Sequence, residues 1–185
     1  MKNLINPFRY LAGGKALALG VIFIVSSALL LYSCRMIQDS YIHLAPSDDA
    51  IWSVLLWQVL WWLVPALLLY ACGLMLSHSR IRIIDVLGTT AFSQLIMLLM
   101  IAPMLIPAVR DSSSNVLEAV KLATEPMAND LLYLMIYGFW SLAMIVLFFV
   151  WNYNAYATSC NVRGWKAIAS FIAVQVIMTV IGTFI

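Results

Sequence analysis

Five stretches of this chain, 16–34, 51–76, 86–109, 131–151 and 167–185, each run for 19 or more residues without an aspartate, glutamate, lysine, arginine or histidine. A helix rises about 1.5 Å per residue, so about 20 apolar residues cross a hydrocarbon layer about 30 Å thick. Lipid offers no partner to an exposed backbone N–H or C=O, which leaves helices and closed barrels as spanning structures. The runs lack the alternation of barrel strands. The sequence therefore predicts an all-α membrane protein, a single domain over residues 1–185 built as a bundle of five transmembrane helices. Composition agrees, with 64% of residues hydrophobic and 10% charged, against about 45–50% and 25% in soluble proteins.

Charge placement predicts the orientation. Lys2, Arg9, Lys15, Arg80, Arg82, Arg163 and Lys166 fall on one side of the predicted threading, and Arg35, Arg110 and Lys121 on the other. Seven against three, under the rule that lysine and arginine stay inside, puts the N-terminus in the cytoplasm and the C-terminus outside. The acids were not used in that count and fall the same way: Asp85 alone is inside, while Asp39, Asp48, Asp49, Asp111, Glu118, Glu125 and Asp130 are outside. A bacterial inner membrane is the expected location.

Several function classes lose support. A net charge of +2 without basic runs gives nucleic acid nothing to bind. Three cysteines (Cys34, Cys72, Cys160) without CxxC spacing, and two histidines, suggest no metal and no cofactor. Cys72 and Cys160 are predicted inside, where thiols stay reduced. LYSC at 31–34 is similar to a lipoprotein cleavage site ending at Cys34, although Tyr32 is bulky for one. No span contains the ionisable groups that an intramembrane protease or proton pump needs. The expectation is a non-enzyme.

Polar groups and helix breakers inside the runs carry the remaining information. Gln58, Gln94 and Gln175 are each read as hydrogen-bonding a neighbouring helix or lining a solute site. Pro103 and Pro107, four apart, predict a kinked outer half of the third span with freed carbonyls. Trp57, Trp61 and Trp62 read as helix packing or a lipid or partner contact, and Trp52 as an interface residue. NPFRYLAGGK reads as an amphipathic anchor or the ragged start of the first span. In the outer loop at 110–130, Asn115 and Glu118 suggest a short surface helix that Pro126 stops.

On the cytoplasmic side, SRIRIID holds Arg80 and Arg82, with Asp85 placed as a cap for the third span. WNYNAYATSCNVRGWK holds Asn152, Asn154, Arg163 and Lys166. Together they form a candidate surface for anionic lipid heads or a partner. Two functions compete: a membrane protein that binds lipid, another membrane protein or its own copy, and a small-solute transporter or channel subunit acting as an oligomer. A polar cavity lined by the glutamines would favour transport, and a dry bundle with paired glutamines would favour binding. A lipid-modifying enzyme would need His43 or His78 to meet an acid and a nucleophile at one surface.

LLYACGLMLSHSRIRIIDVLGTTAF, NPFRYLAGGKALALGVIF and NYNAYATSCNVRGWKAIASFIA together resemble the centre, opening and close of bacterial Yip1-domain membrane proteins. That resemblance implies five spanning helices with a cytoplasmic N-terminus. Eukaryotic members associate with Rab GTPases and carry a long N-terminal region and a DLYGP motif. This chain has about 15 residues before its first span and no such motif, so Rab binding is not implied. The resemblance carries over no catalytic residue.

Overall fold

The computed structural model describes residues 6–77 and 79–184, apart from the Arg9 side chain; His78 lies outside the described residues. After a 3₁₀ turn at Pro7–Arg9, α1 runs over Gly13–Ser33. A two-residue antiparallel hairpin follows, β1 (Met36–Ile37) with β2 (Ala45–Pro46). Then come α2 (Ile51–Leu76), α3 (Ile83–Ile101), a 3₁₀ turn at Ala102–Leu105, α4 (Pro107–Lys121), α5 (Ala128–Ser159) and α6 (Trp165–Gly182). Five of these segments are long and apolar enough to cross a membrane.

α3 is the central helix. It packs most closely on α1, and also on α5 and α2. Small residues set the approach. A side chain on Gly20 would run into the Ala91 Cβ and backbone, and one on Gly88 would meet the Gly13 carbonyl and Leu17 N–H. Between apolar helices surrounded by lipid, such close contact is the main source of association. The hydroxyls that α3 buries are satisfied within the helix. Thr89 donates to the Asp85 carbonyl at 2.8 Å, Thr90 to Val86 at 2.8 Å and Ser93 to Thr89 at 3.1 Å. They therefore cost little where no water reaches.

The long second run stays one helix through the buried Pro65. The two later prolines do not kink a single span as expected. Pro103 falls in the 3₁₀ turn that ends α3, and Pro107 opens α4. A proline has no N–H to extend a helix, but at the first helical position that group has no partner to lose. α4 is the expected surface helix, beginning well before Asn115 and ending before Pro126. Its Ser112 hydroxyl donates to Asp130 at 2.9 Å, and Asn115 donates to the same carboxylate at 3.3 Å, tying α4 to the first turn of α5.

Asp85 is not the cap of α3. The cap position is Arg82, without a side-chain hydrogen bond, and Asp85 sits in the first turn. There it still faces the positive helix end. α5 is 32 residues long, about 48 Å. Asn152 and Asn154 therefore belong to the helix and not to a loop. Along α5, Leu132, Met135, Ile136, Phe139, Leu142 and Val146 are all exposed, as suits a helix bathed in acyl chains.

Candidate functional site

The bundle has two unlike ends. One gathers the start of α1, the α2–α3 turn and the α5–α6 turn: Gly13 lies beside Asp85, and Gly73 against Cys160. The other gathers the hairpin, α4 and the end of α6, where Gly182 lies beside Ser40. They are called here the basic end and the hairpin end.

At the basic end two clefts meet at the α5–α6 turn. One, of about 400 Å³, is lined by Ser77, Ser79, Asn161, Arg163 and Lys166. The other, of about 440 Å³, is lined by Asn6, Phe8, Asn154, Thr158, Asn161 and Arg163. Arg163 stands between them. Arg80 and Arg82 are exposed in the adjoining turn but line neither cleft. The expected surface thus separates into Asn154, Arg163 and Lys166 at the clefts and Arg80 and Arg82 beside them. Asn152 faces inward, buried, donating to the Phe148 carbonyl at 3.1 Å.

The ion pairs of the described residues all lie at the other end, Arg35–Asp48 at 3.9 Å and Arg110–Asp111 at 3.1 Å, where the His43 ring also contacts the Asp39 carboxylate at 2.8 Å. Arg80, Arg82, Arg163 and Lys166 have no carboxylate in ion-pair reach among the described residues. Exposed Tyr10 and Trp165 flank them, residues that favour the level of lipid headgroups. Phe8 is neither a surface anchor nor the start of α1. It is buried against Phe92 and Trp151, with ring centroids 6.2 and 5.8 Å away. Burial pushes the Cys160 thiol up to about 11, so it stays protonated and unreactive. The three cysteines are unbonded.

At the hairpin end the chain between β1 and β2 enters the bundle. Gln38 is 3% exposed and Tyr41 likewise. The Gln38 amide donates to the Tyr41 carbonyl at 2.8 Å. Gln58 donates to the Gln38 side-chain oxygen at 2.9 Å, and the Trp61 indole to the Gln38 carbonyl at 3.1 Å. The Tyr41 ring lies 6.4 Å from Trp61 and 6.0 Å from Phe148. Trp61 is ten residues below the start of α2, so the tip reaches about 15 Å down the helix. Burial pushes the Tyr41 hydroxyl well above the ordinary tyrosine range, keeping it a donor.

The three glutamines do not converge. Gln58 is held by the hairpin. Gln94 is buried within α3. Gln175 lines an apolar groove of about 430 Å³ between α5 and α6 with Phe149, Ile172 and Val176. It approaches the Tyr41 hydroxyl closely enough to act on its ionisation. Neither of its amide atoms, however, makes a hydrogen bond of ordinary geometry. The tryptophans pack: Trp57 stacks on Trp61 at 5.9 Å, and Trp62 donates to the Thr90 hydroxyl at 3.3 Å. Trp52 is 76% exposed, as expected for an interface residue.

His43 meets an acid, Asp39, but no serine or threonine hydroxyl is hydrogen-bonded to its ring among the described residues. The nearby Ser113 and Ser141 donate to the backbone carbonyls of Arg110 and Gly138. Cys34 is buried, its thiol 3.5 Å from the Met104 carbonyl. The tucked hairpin carried no sequence signal beyond Gln38, a polar residue within a loop. No protein-family model, curated protein or solved structure matches the chain.

Proposed function

We propose that this chain is a non-enzymatic integral membrane protein whose basic end holds anionic lipid heads or the acidic face of a membrane partner. The observation that carries this reading is the contrast between its ends. Cations at the hairpin end are paired, apart from Lys121, whereas Arg80, Arg82, Arg163 and Lys166, beside two polar clefts, have no ion-pair partner among the described residues. An unpaired cation near an anionic bilayer surface contributes about 1 kcal/mol. In this reading the basic end faces the cytoplasm, which the seven-to-three distribution of lysine and arginine supports, and the membrane is a bacterial inner one. The Yip1-like assignment rests on the three quoted stretches and agrees with five spans.

Reporter fusions test the orientation: a cytoplasmic reporter is expected to be active at the N-terminus and silent at the C-terminus. Activity at both tips would overturn it. Changing Arg80, Arg82, Arg163 and Lys166 to glutamine is expected to lower retention of phosphatidylglycerol by at least about tenfold. The loss is read by native mass spectrometry in mild detergent, and it should shrink with added salt. Lipid retention equal to that of the unaltered protein, with any capture of acidic membrane proteins also unchanged by the substitutions, would overturn the reading.

Transport by an oligomer is the second reading, and one observation favours it. Gln175 lines the apolar α5–α6 groove, and its buried amide atoms make no hydrogen bond of ordinary geometry among the described residues. A partner helix seated on that groove would pack against Gln175. If the protein acts alone, Gln175→Leu is expected to raise thermal stability by about 1 kcal/mol. If Gln175 serves an interface, the same change lowers stability and dissociates the oligomer, as read by light scattering.

A further inference from the structure

At the hairpin end a polar cleft of about 670 Å³ is lined by Arg35, Asp48, Arg110 and Asp111. It shares Met36, Pro46 and Ser113 with a second cleft of about 510 Å³, which continues over Leu44, Met104, Leu134 and Tyr137 and is largely apolar. The two are parts of one groove, charged at one side and greasy at the other. Both volumes fall in the usual range for ligand sites, about 300–1,000 Å³.

The arginines are the informative part. Three cations stand at this end against the charge pattern of the rest of the chain. Lys121 has a local reason: it lies in the last turn of α4, where the helix dipole favours a cation. Arg35 and Arg110 have none. Arg35 takes φ +52 directly after Cys34, the cap of α1, a position that glycine usually fills. Arg110 closes the first turn of α4, where the positive end of the helix opposes it. Both side chains nevertheless line the same cleft.

Each arginine has an acid beside it, so the cleft presents both signs and no net charge. Both pairs are open to solvent. Arg35 and Asp48 are 3.9 Å apart with their side chains 84% and 87% exposed, and Arg110 donates to the adjacent Asp111 at 3.1 Å, with side chains 39% and 58% exposed. Such exposed pairs hold weakly in water, and a ligand bearing both charges would exchange with them.

We propose that this groove binds one phospholipid of the ethanolamine class. Its phosphate would lie on Arg35 and Arg110, its ammonium on Asp48 and Asp111, and one acyl chain along the apolar cleft. An anionic head without an amine would set a phosphate against both acids. A choline head cannot donate hydrogen bonds to them. The proposal rests on the reading that the chain sits in a membrane, and is independent of lipid binding at the basic end.

The test uses the full chain in mild detergent with an equimolar mixture of phosphatidylethanolamine, phosphatidylcholine and phosphatidylglycerol carrying identical acyl chains. Native mass spectrometry counts the retained lipids. The unaltered protein is expected to keep phosphatidylethanolamine about tenfold over phosphatidylcholine, a measurement that needs no variant. Arg35→Gln with Arg110→Gln is expected to lower that retention about tenfold, and Lys121→Gln, at the same end but outside the groove, to leave it unchanged. Equal retention of the ethanolamine and choline lipids overturns the proposal, and so does undiminished retention in the Arg35/Arg110 variant. Loss of phosphatidylglycerol is scored in the variant changed at Arg80, Arg82, Arg163 and Lys166, so the two sites fail separately.

Discussion

Replacing Gly20 by alanine is expected to destabilise the protein by about 3 kcal/mol, and replacing it by leucine to prevent it from accumulating folded. The added carbon would meet the Ala91 side chain and backbone, with the Phe92 N–H at 2.7 Å. Backbone atoms of a packed helix cannot swing aside as the tip of a long side chain can. Relief would require α1 to withdraw from α3 along its whole length. That would forfeit the dispersion contacts that hold apolar helices together where lipid competes equally for them. Gly138 in α5 provides the contrast, since nothing lies within 4 Å of where its side chain would be. Gly138→Ala is expected to be neutral or to stabilise by about 0.5–1 kcal/mol through helix propensity. Thermal unfolding of both variants in one detergent reads the difference. Equal behaviour would show that the α1–α3 contact is looser than described.

Gln38→Leu is expected to cost about 2–3 kcal/mol. It removes the acceptor of the Gln58 amide, leaving that amide buried without a partner, and it removes the bond that folds the hairpin tip onto the Tyr41 carbonyl. A buried donor that loses its acceptor bears its full desolvation cost, about 1–3 kcal/mol. The combined change of Gln38 and Gln58 to leucine is therefore expected to be milder than the sum of the two single changes by about 1 kcal/mol or more, since replacing both partners leaves no orphan. Unfolding of the four proteins in the cycle provides that coupling. A coupling of zero would mean that the hairpin tip is held by its aromatic contacts alone.

These two predictions differ in how visible their residues are in the chain. Gln58 stands out as a polar residue in an apolar run, and its need for a partner follows from the absence of water. Its partner was not legible, because Gln38 lies in a loop between runs and loop residues carry no periodicity to say which way they point. The spacing Ala16-x-x-x-Gly20 and the Gly88 and Ala91 pair lie in plain view. Small residues of this kind mark close contact only once two helices are known to be neighbours. The prolines were legible as breakers, but a proline at the end of one helix and at the start of the next has the same local chemistry as one within a kinked helix.

By itself the sequence determined the solvent and the class of fold. Runs of about 20 residues without an ionisable group leave few alternatives where every backbone amide must be satisfied internally, and five helices of that length and character are present. Only the tertiary structure decided which polar groups find partners: Gln58 on the hairpin, Gln175 with a buried amide that makes no ordinary hydrogen bond, Arg80, Arg82, Arg163 and Lys166 without an ion pair among the described residues, and Arg35 with Arg110 in one cleft. The reason is physical. Partition between lipid and water depends on the composition of a run and is local in the chain, whereas a hydrogen bond or an ion pair depends on ångström-scale distances between residues far apart in it.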